Sequence, residues 1–167
     1  DREPPAGYRA EWAHYLAQPP KKTEVTTDSA MVFRIGSEWL GLPAAWVGEV
    51  APLRPIHSLP HRRGGALAGI VNIRGELLSC FAIERVLGIE ATSPASASRR
   101  LVVAGQGARR LVFCADEIFG VLHYDAARRL AAPGQPALVK HLLAWNDRTV
   151  GLLEIESLWA ALERSLA

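Results

Sequence analysis

The sequence predicts a mainly β protein made of two small barrels packed together, with one helix before them and one after. From Met31 onward, short apolar runs alternate with glycine and polar turn residues, a pattern typical of short antiparallel strands. The chain also repeats itself: Ile83-Glu84-Arg85-Val86-Leu87 follows one hairpin, and Ile155-Glu156-Ser157-Leu158-Trp159 follows another at an offset of 72 residues. Each unit holds about five strands, too few to bury a large core, so we expect each to close into a barrel and pack on the other.

The size and composition indicate a soluble globular protein. The chain has 167 residues, of which 49% are hydrophobic and 22% charged, and a net charge of +2. No apolar run approaches the ~18 residues of a membrane span, so we expect no direct membrane insertion. Cys80 and Cys114 lie in apolar runs, and we expect two buried thiols in a reducing cytoplasm. Because the chain begins at Asp1 without a signal-like segment, we expect it to be cut from a longer protein.

Residues 8–17 have the spacing of an amphipathic helix. Tyr8, Trp12, Tyr15 and Leu16 fall on one helical face, and Pro19-Pro20 ends the pattern. A polar linker follows, so we divide the chain into an N-terminal helix and linker over 1–29 and a β domain over 30–167. About ten residues are marginal as an isolated helix, so this helix is expected to cover a barrel or a partner.

The β domain divides into two units in sequence. The first barrel is expected over about 31–89, the linker over 90–98, where "EATSPASAS" has low complexity, and the second barrel with the C-terminal helix over about 99–167. The expected strands are 31–35, 38–42, 47–53 and the hairpin 68–81, then 101–104, 110–115, 118–124 and the hairpin 139–155. The expected helices are a short piece at 82–87, ended by Gly88, and 156–166.

The sequence contains none of the common catalytic motifs. The sequence has no nucleophile elbow, phosphate-binding loop, zinc-protease motif or Cys-x-x-Cys pair. His57 and His61 have a ligand-like spacing of four, but Pro60 between them excludes the helix that this spacing needs. Asp116 and Glu117 are a paired acid, but adjacent residues in a strand would point to opposite faces, so we expect them to have a turn or strand-end role and not to act together as acid and base. We expect no enzyme, no cofactor and no metal site.

Arginine pairs raise the question of nucleic acid. Arg-Arg-Leu occurs three times, beginning at Arg99, Arg109 and Arg128, and Arg62-Arg63 adds a fourth pair. These pairs either form a surface for phosphate contacts or flank the strands and face water. Aromatic residues do not interleave with them, so the stacking platform of a single-strand binder is absent. We expect no nucleic-acid partner, and keep a basic nucleic-acid-binding β-barrel as an alternative.

The most informative segment is the hairpin "AGIVNIRGELLSC", residues 68–80. Gly75 tolerates positive φ and permits a tight turn, while the Asn72 side chain is able to bond the local backbone and fix the turn. Arg74 would then project five N–H donors from a rigid support. The arginine serves either as an anchor for a partner's carboxylates or carbonyls or in an internal salt bridge, for instance with Glu76.

Four segments resemble CheW-like domains, the adaptor modules of bacterial chemosensory arrays. "GIVNIRGELLSCFAIERVLGI" is similar to the family's Asn-Leu-Arg-Gly hairpin and "FRIGSEWLGLPAAWVGEV" to its first strands, with the Val-x-Glu signature at Val47 and Glu49. "RLVFCADEIFGVL" resembles its Val-Asp-x-Val segment, and "VGLLEIESLWAAL" its last strand and helix. Ser79 and Ala82 depart from the usual hairpin pattern. The resemblance implies two SH3-like five-stranded β-barrels.

The resemblance also implies a non-catalytic, cytoplasmic adaptor. Its expected partners are the cytoplasmic tip of a methyl-accepting chemotaxis-type receptor and the regulatory domain of a CheA-type histidine kinase, in chemotaxis or a related pathway such as surface sensing. By position, the expected partner-binding residues are Val47, Glu49, Asn72, Arg74 and Gly75. Because that regulatory domain is itself CheW-like, a domain excised from such a kinase is the second alternative.

Overall fold

The computed structural model describes residues 27–60, 65–90, 97–132 and 138–166. The predicted N-terminal helix over 8–17 lies outside the described residues. The strands of the described ranges are β1 (Thr27–Ile35), β2 (Glu38–Pro43), β3 (Val47–Ala51), β4 (Ile56–His57), β5 (Leu67–Ile73), β6 (Glu76–Phe81), β7 (Arg100–Gln106), β8 (Arg109–Ala115), β9 (Glu117–Asp125), β10 (Leu130–Ala131), β11 (Val139–Trp145) and β12 (Arg148–Leu153). The helices are α1 (Ile83–Leu87) and α2 (Ile155–Ser165), with 3₁₀ turns at Ala44–Trp46 and Ala126–Arg128.

The strands form two six-stranded sheets. Sheet A has the order β10-β11-β12-β2-β1-β9, and sheet B has the order β3-β7-β8-β6-β5-β4. The predicted mainly β fold with two packed units is confirmed. The sixth strand of each sheet, β4 or β10, is only two residues long. Neither was predicted, because two residues carry no periodicity.

The sheet orders reveal an internal two-fold repeat. Each strand of sheet A corresponds to the strand of sheet B that lies six places away in the chain. The strands β1 and β2 of sheet A, for example, correspond to β7 and β8 of sheet B. In each sheet one parallel pair joins the halves: β12 pairs with β2, and β6 pairs with β8. The repeat inferred from the sequence is therefore present in the topology.

The expected division of the barrels at 90–98 does not match the sheets. Strands β1 and β2 belong to the first half of the chain but complete sheet A, whereas β7 and β8 belong to the second half and complete sheet B. The cause is the 3₁₀ turn at Ala44–Trp46, after which the chain leaves sheet A and enters sheet B at β3. Each barrel is thus shared between the halves, with the first hairpin of each repeat exchanged.

Each sheet curls around its own core. Ala51 of β3 and Val71 of β5 share one buried cluster, although four strand spacings would separate these strands by about 19 Å in a flat sheet. A second buried cluster, which includes Val32 and Leu152, forms the core of the barrel made by sheet A. The alternating burial of β5, with Gly69, Val71 and Ile73 facing inward, is what a strand on such a wall requires.

The largest core lies between the barrels. Phe33 and Phe113, from equivalent hairpins, contact each other there with ring centroids 5.0 Å apart. Helix α2 buries Ile155, Leu158, Ala161 and Leu162 against this core, and this spacing of three to four residues is typical of an amphipathic helix. None of the helices within the described ranges has the length and apolar character needed to cross a bilayer.

Candidate functional site

The β5–β6 hairpin ends in a two-residue turn formed by Arg74 and Gly75. Ile73 pairs with Glu76 across the turn, and both turn residues have positive φ, 53° for Arg74 and 85° for Gly75. This is the type I′ geometry, which matches the twist of the flanking strands. The Asn72 Oδ1 atom accepts a hydrogen bond from the Gly75 N–H at 2.8 Å. The predicted structural roles of Gly75 and Asn72 in the turn are therefore confirmed.

Arg74 contacts a glutamate of a distant strand. Its Nε lies 3.2 Å from Oε2 of Glu49 on β3, and the Arg74 side chain keeps 77% of its surface exposed, against 28% for Glu49. The expected alternative, an internal salt bridge of Arg74, is therefore present, but its partner is Glu49 and not Glu76, which pairs with Arg110 of β8. Two of the predicted site residues thus meet, although 25 positions separate them in the chain.

Val47 lies apart from this contact. It begins β3, pairs with Ala104 and packs against the core between the barrels. A register shift between Val47 and Glu49 breaks the usual alternation, so two residues that would share a face in a regular strand serve different purposes. Val47 holds the strand on the core, and Glu49 reaches the turn.

The surface around the turn offers charges of both signs beside an exposed apolar side chain. Arg74 and Glu49 form one pair and Arg110 and Glu76 another, and Leu77, next to Glu76, is 67% exposed. Guanidinium and carboxylate groups on a braced hairpin are suited to recognising another protein. Among the described residues, no three His, Cys, Asp or Glu side chains are grouped so as to hold a metal ion.

The equivalent turn of sheet A carries aromatic residues instead. Asn146 and Asp147 have positive φ, and beside them the Trp145 ring lies 5.6 Å from Trp39 and 4.4 Å from Phe119. The Arg148 guanidinium stacks 4.6 Å from the Trp39 centroid, an electrostatically favourable cation–π contact. Phe119 is half exposed. This aromatic surface was not predicted from the sequence, although Trp39 and Trp145 border two expected turns and were a usable signal.

Asp116 stabilises the β1–β2 hairpin by two hydrogen bonds to its turn. Its Oδ2 atom accepts from the Gly36 N–H at 2.7 Å, and its own N–H donates to the Arg34 carbonyl at 2.8 Å. Glu117 pairs separately with Arg34. The two adjacent acids therefore act in different structural contacts, Asp116 in the bend between β8 and β9 and Glu117 at the start of β9, which agrees with the expected turn or strand-end role.

The arginine pairs are mostly committed to the protein itself. Within residues 97–132, four of the six arginines of the Arg-Arg-Leu motifs lie in ion pairs with carboxylates: Arg99, Arg109, Arg110 and Arg129. Neutralised guanidinium groups are poor phosphate ligands. The geometry favours the interpretation that these pairs flank strands over a phosphate-binding surface, although the four arginines pair with carboxylates of the protein where the prediction had them facing water.

The two cysteines are held as thiols. Burial raises the pKa of the Cys80 thiol to about 12, with smaller contributions from Cys114 and Glu84. Burial also raises the pKa of Cys114, although the neighbouring Arg99 opposes part of the shift. The expectation of buried thiols holds fully for Cys80, whereas Cys114 is half-buried.

Comparison with known proteins identifies the family. The sequence profile of the CheW-like domain matches residues 29–163. Among solved structures, the fold is similar to the scaffolding protein TtCheW from Thermoanaerobacter tengcongensis, with a TM-score of 0.68 and 20% sequence identity, covering 77% of this chain and 90% of that one. No curated protein sequence gives a significant match. Since the profile spans most of the chain and the two-sheet fold agrees with it, this protein belongs to the CheW-like domain family.

Proposed function

We propose that this chain is a non-catalytic adaptor that couples the cytoplasmic tip of a chemoreceptor to the regulatory domain of a CheA-type histidine kinase. The observation that carries the proposal is the Arg74–Glu49 pair: an exposed guanidinium on a type I′ turn, anchored by a carboxylate on the opposite edge strand. Family membership supplies the class of partner. The chain would act in the cytoplasm, where receptor tips and kinases of this class meet.

An adaptor needs at least two contact surfaces, and the fold presents two different ones. The turn of sheet B exposes paired charges around Arg74. The turn of sheet A presents the half-exposed ring of Phe119 beside the partly buried Trp39 and Trp145. The internal repeat puts these surfaces at equivalent places in the two barrels. Two partners are thereby able to bind one molecule without competing for the same residues.

The five expected partner-binding residues divide into contacts and supports. Arg74 and Glu49 offer charged groups to a partner, while Asn72 and Gly75 hold the turn that presents them. Val47 fixes β3 on the core. In this proposal, substitutions of Asn72, Gly75 or Val47 weaken partner binding because they change the position of the Arg74 guanidinium.

A charge-swap experiment tests the proposal. Pulldowns with receptor tips and CheA-type kinase from the same genome would compare wild type with Arg74→Glu, Glu49→Arg and the double variant. If the partner contacts the guanidinium itself, the double variant restores the ion pair but not partner capture. We expect both single variants and the double variant to lose at least tenfold in capture of one partner, equivalent to about 1.4 kcal/mol.

Arg74→Asn is the matched control for stability. Asparagine is favoured at the positive φ that residue 74 adopts, so this variant removes the guanidinium without straining the turn. Its melting temperature should equal that of wild type or exceed it while capture falls. Wild-type capture by Arg74→Asn, or full recovery in the double swap, would contradict direct contact by Arg74.

A further inference from the structure

The two cysteines of the chain line one cleft of about 210 Å³, near the carboxyl ends of β6 and β8. Cys80 comes from β6 and Cys114 from β8. The charged residues of the same cleft are Glu84, Arg99 and Asp116. None of the residues that line it belongs to the Arg74 turn or to the aromatic cluster of sheet A, so the cleft is separate from both proposed partner surfaces.

The parallel pairing of β6 with β8 fixes the separation of the two thiols. Cys80 is the partner of Val112, so Cys114 lies two residues further along the neighbouring strand and on the same face of the sheet. Cys80 and Val112 belong to the buried cluster of sheet B, and Cys114 packs against that cluster. Diagonal neighbours of this kind are about 7–8 Å apart, which is beyond the reach of a disulfide unless the backbone moves.

A metal ion between the two sulfurs fits this separation. With metal–thiolate bonds of about 2.3 Å, the sulfurs of a linear S–metal–S unit lie about 4.6 Å apart, which is about 2.5 Å more than in a disulfide. That increase makes up the difference between the ~4 Å Cβ separation of a disulfide and the ~6–7 Å of a diagonal pair. The register therefore favours a metal bridge over a disulfide.

The charges in the cleft favour a monovalent ion. Arg99 forms an ion pair with Asp116, with Nε and Oδ1 3.4 Å apart, but within the described ranges this buried Nε atom makes no hydrogen bond. The Arg99 guanidinium also interacts with the Cys114 thiol, whose pKa it lowers against the larger effect of burial. Two thiolates and one monovalent ion have a net charge of −1, and this guanidinium lies where it stabilises that charge.

We propose that Cys80 and Cys114 bind one soft monovalent metal ion of the Cu(I) class between their sulfurs, and that Arg99 stabilises the anionic complex. Thiolates select Cu(I) among the soft metals, and two of them suffice for a linear site. A structural zinc site needs four ligands, and the part of the chain that the structure describes has no group of three. Each thiol releases its proton to solvent when its bond to the metal forms.

The burial of the two sulfurs gives the order of binding. Cys114 is half-buried and Cys80 is buried, so an ion that enters the cleft reaches Cys114 first. Cys80 then completes the site from within the core of sheet B. This entry path requires no opening of the barrel.

Anaerobic titration of the reduced full chain with Cu(I), in competition with a chromogenic Cu(I) chelator, tests the proposal. We expect one ion per chain, and an affinity at least 100-fold lower in both Cys80→Ala and Cys114→Ala, with circular dichroism used to verify the fold of each variant. Met31→Leu is the matched control with unchanged affinity. It removes the one methionine of the chain, which is buried in the core between the barrels.

The pH dependence of the affinity counts the thiolates. Burial raises the pKa of both thiols, so both are protonated between pH 6.5 and 7.5, and binding one ion releases two protons. We therefore expect the affinity to increase about 100-fold over that pH unit, after correction for the protons of the chelator.

A separate pair of variants tests the guanidinium. Arg99→Gln should lower the affinity about tenfold, because the complex loses its neighbouring positive charge. Arg100→Gln is the matched control with unchanged affinity, since its guanidinium bonds to the carbonyl groups of Ala97 and Arg99. Wild-type affinity in Arg99→Gln would contradict the role assigned to Arg99.

Three results would overturn the metal site itself. Wild-type affinity in either cysteine variant would show that the two sulfurs do not act together. An increase of only about tenfold per pH unit would show that a single thiolate binds the ion. One ion for every two chains would show that the metal joins Cys114 of two copies. Partner capture through Arg74 is measured separately and does not enter these readouts.

Discussion

At the scale of single residues, Arg74 combines a left-handed backbone conformation with an exposed side chain. A non-glycine residue at φ 53° is held in a left-handed conformation, which costs about 1 kcal/mol or more for most side chains. Its long side chain nevertheless stays 77% exposed, so no burial offsets that cost. An exposed ion pair contributes little to stability, typically under about 1 kcal/mol. The backbone strain of Arg74 and its weak ion pair with Glu49 do not explain why an arginine stands at this position. Contact with a partner protein would explain it.

Cys80 gives a prediction about reactivity and pH. Its pKa of about 12 leaves ~10⁻⁴ of the thiol ionised at pH 8, and the thiolate is the reactive form. In the variant Cys114→Ser, alkylation of Cys80 by iodoacetamide at pH 8 should be at least about 100-fold slower in the folded chain than in urea.

The pH dependence of the same reaction follows from the direction of the shift. The folded state keeps the proton that the unfolded thiol loses near pH 8.5–9, so this group lowers the free energy of unfolding as pH rises above that value and has no such effect below it. Labelling of the folded chain should keep increasing beyond pH 9, where labelling of the unfolded chain levels off. Equal rates at pH 8 in both states would contradict the burial of this thiol.

At the scale of elements, the hairpins depend on glycines for two different reasons. Gly75 and Gly107 have positive φ but open space around the Cα, with no atom within 4 Å of an added methyl group. Gly105 also has positive φ, and an added methyl group would collide with the Arg109 carbonyl oxygen. Gly75 and Gly107 are therefore required only for their positive φ, whereas Gly105 is required also because a side chain has no space there.

Alanine substitutions should separate these reasons. Gly75→Ala and the matched Gly107→Ala should each lower the free energy of unfolding by about 1–2 kcal/mol through backbone strain. Gly105→Ala should cost about 3 kcal/mol or more, because β7 and β8 must also move apart. Urea denaturation checks the order, and a loss at Gly105 no larger than at Gly75 would refute the steric argument.

At the scale of the whole molecule, the exchanged hairpins make the halves interdependent. Sheet A consists of β1 and β2 plus four strands from the second half, and sheet B has the reverse arrangement. The core between the barrels likewise draws on both halves, through Phe33 and Phe113 among others. Among the strands that the structure describes, neither half of the chain therefore forms a complete barrel of its own.

Chain complementation tests this interdependence. Fragments 1–90 and 91–167, separated at the low-complexity connection, should each lack a cooperative thermal transition by circular dichroism. Mixed in equal amounts, they should regain the β-sheet spectrum and one cooperative transition. Cooperative unfolding of either fragment alone would mean that the barrels divide in sequence after all. A cut between residues 107 and 108 is the control. It lies in the β7–β8 turn and therefore divides one exchanged hairpin, whereas the cut after residue 90 leaves both exchanged hairpins intact.

The sequence alone determined the class of the fold, most strand positions and the local form of the key turn. Those features depend on neighbours in the chain: alternation sets the strands, and Asn72 and Gly75 set the turn. Only the tertiary structure decided that Arg74 pairs with Glu49 rather than Glu76, and that the first hairpin of each repeat completes the other barrel. Both outcomes depend on strands that meet across long chain separations, where register and crossover, rather than local periodicity, choose the partner.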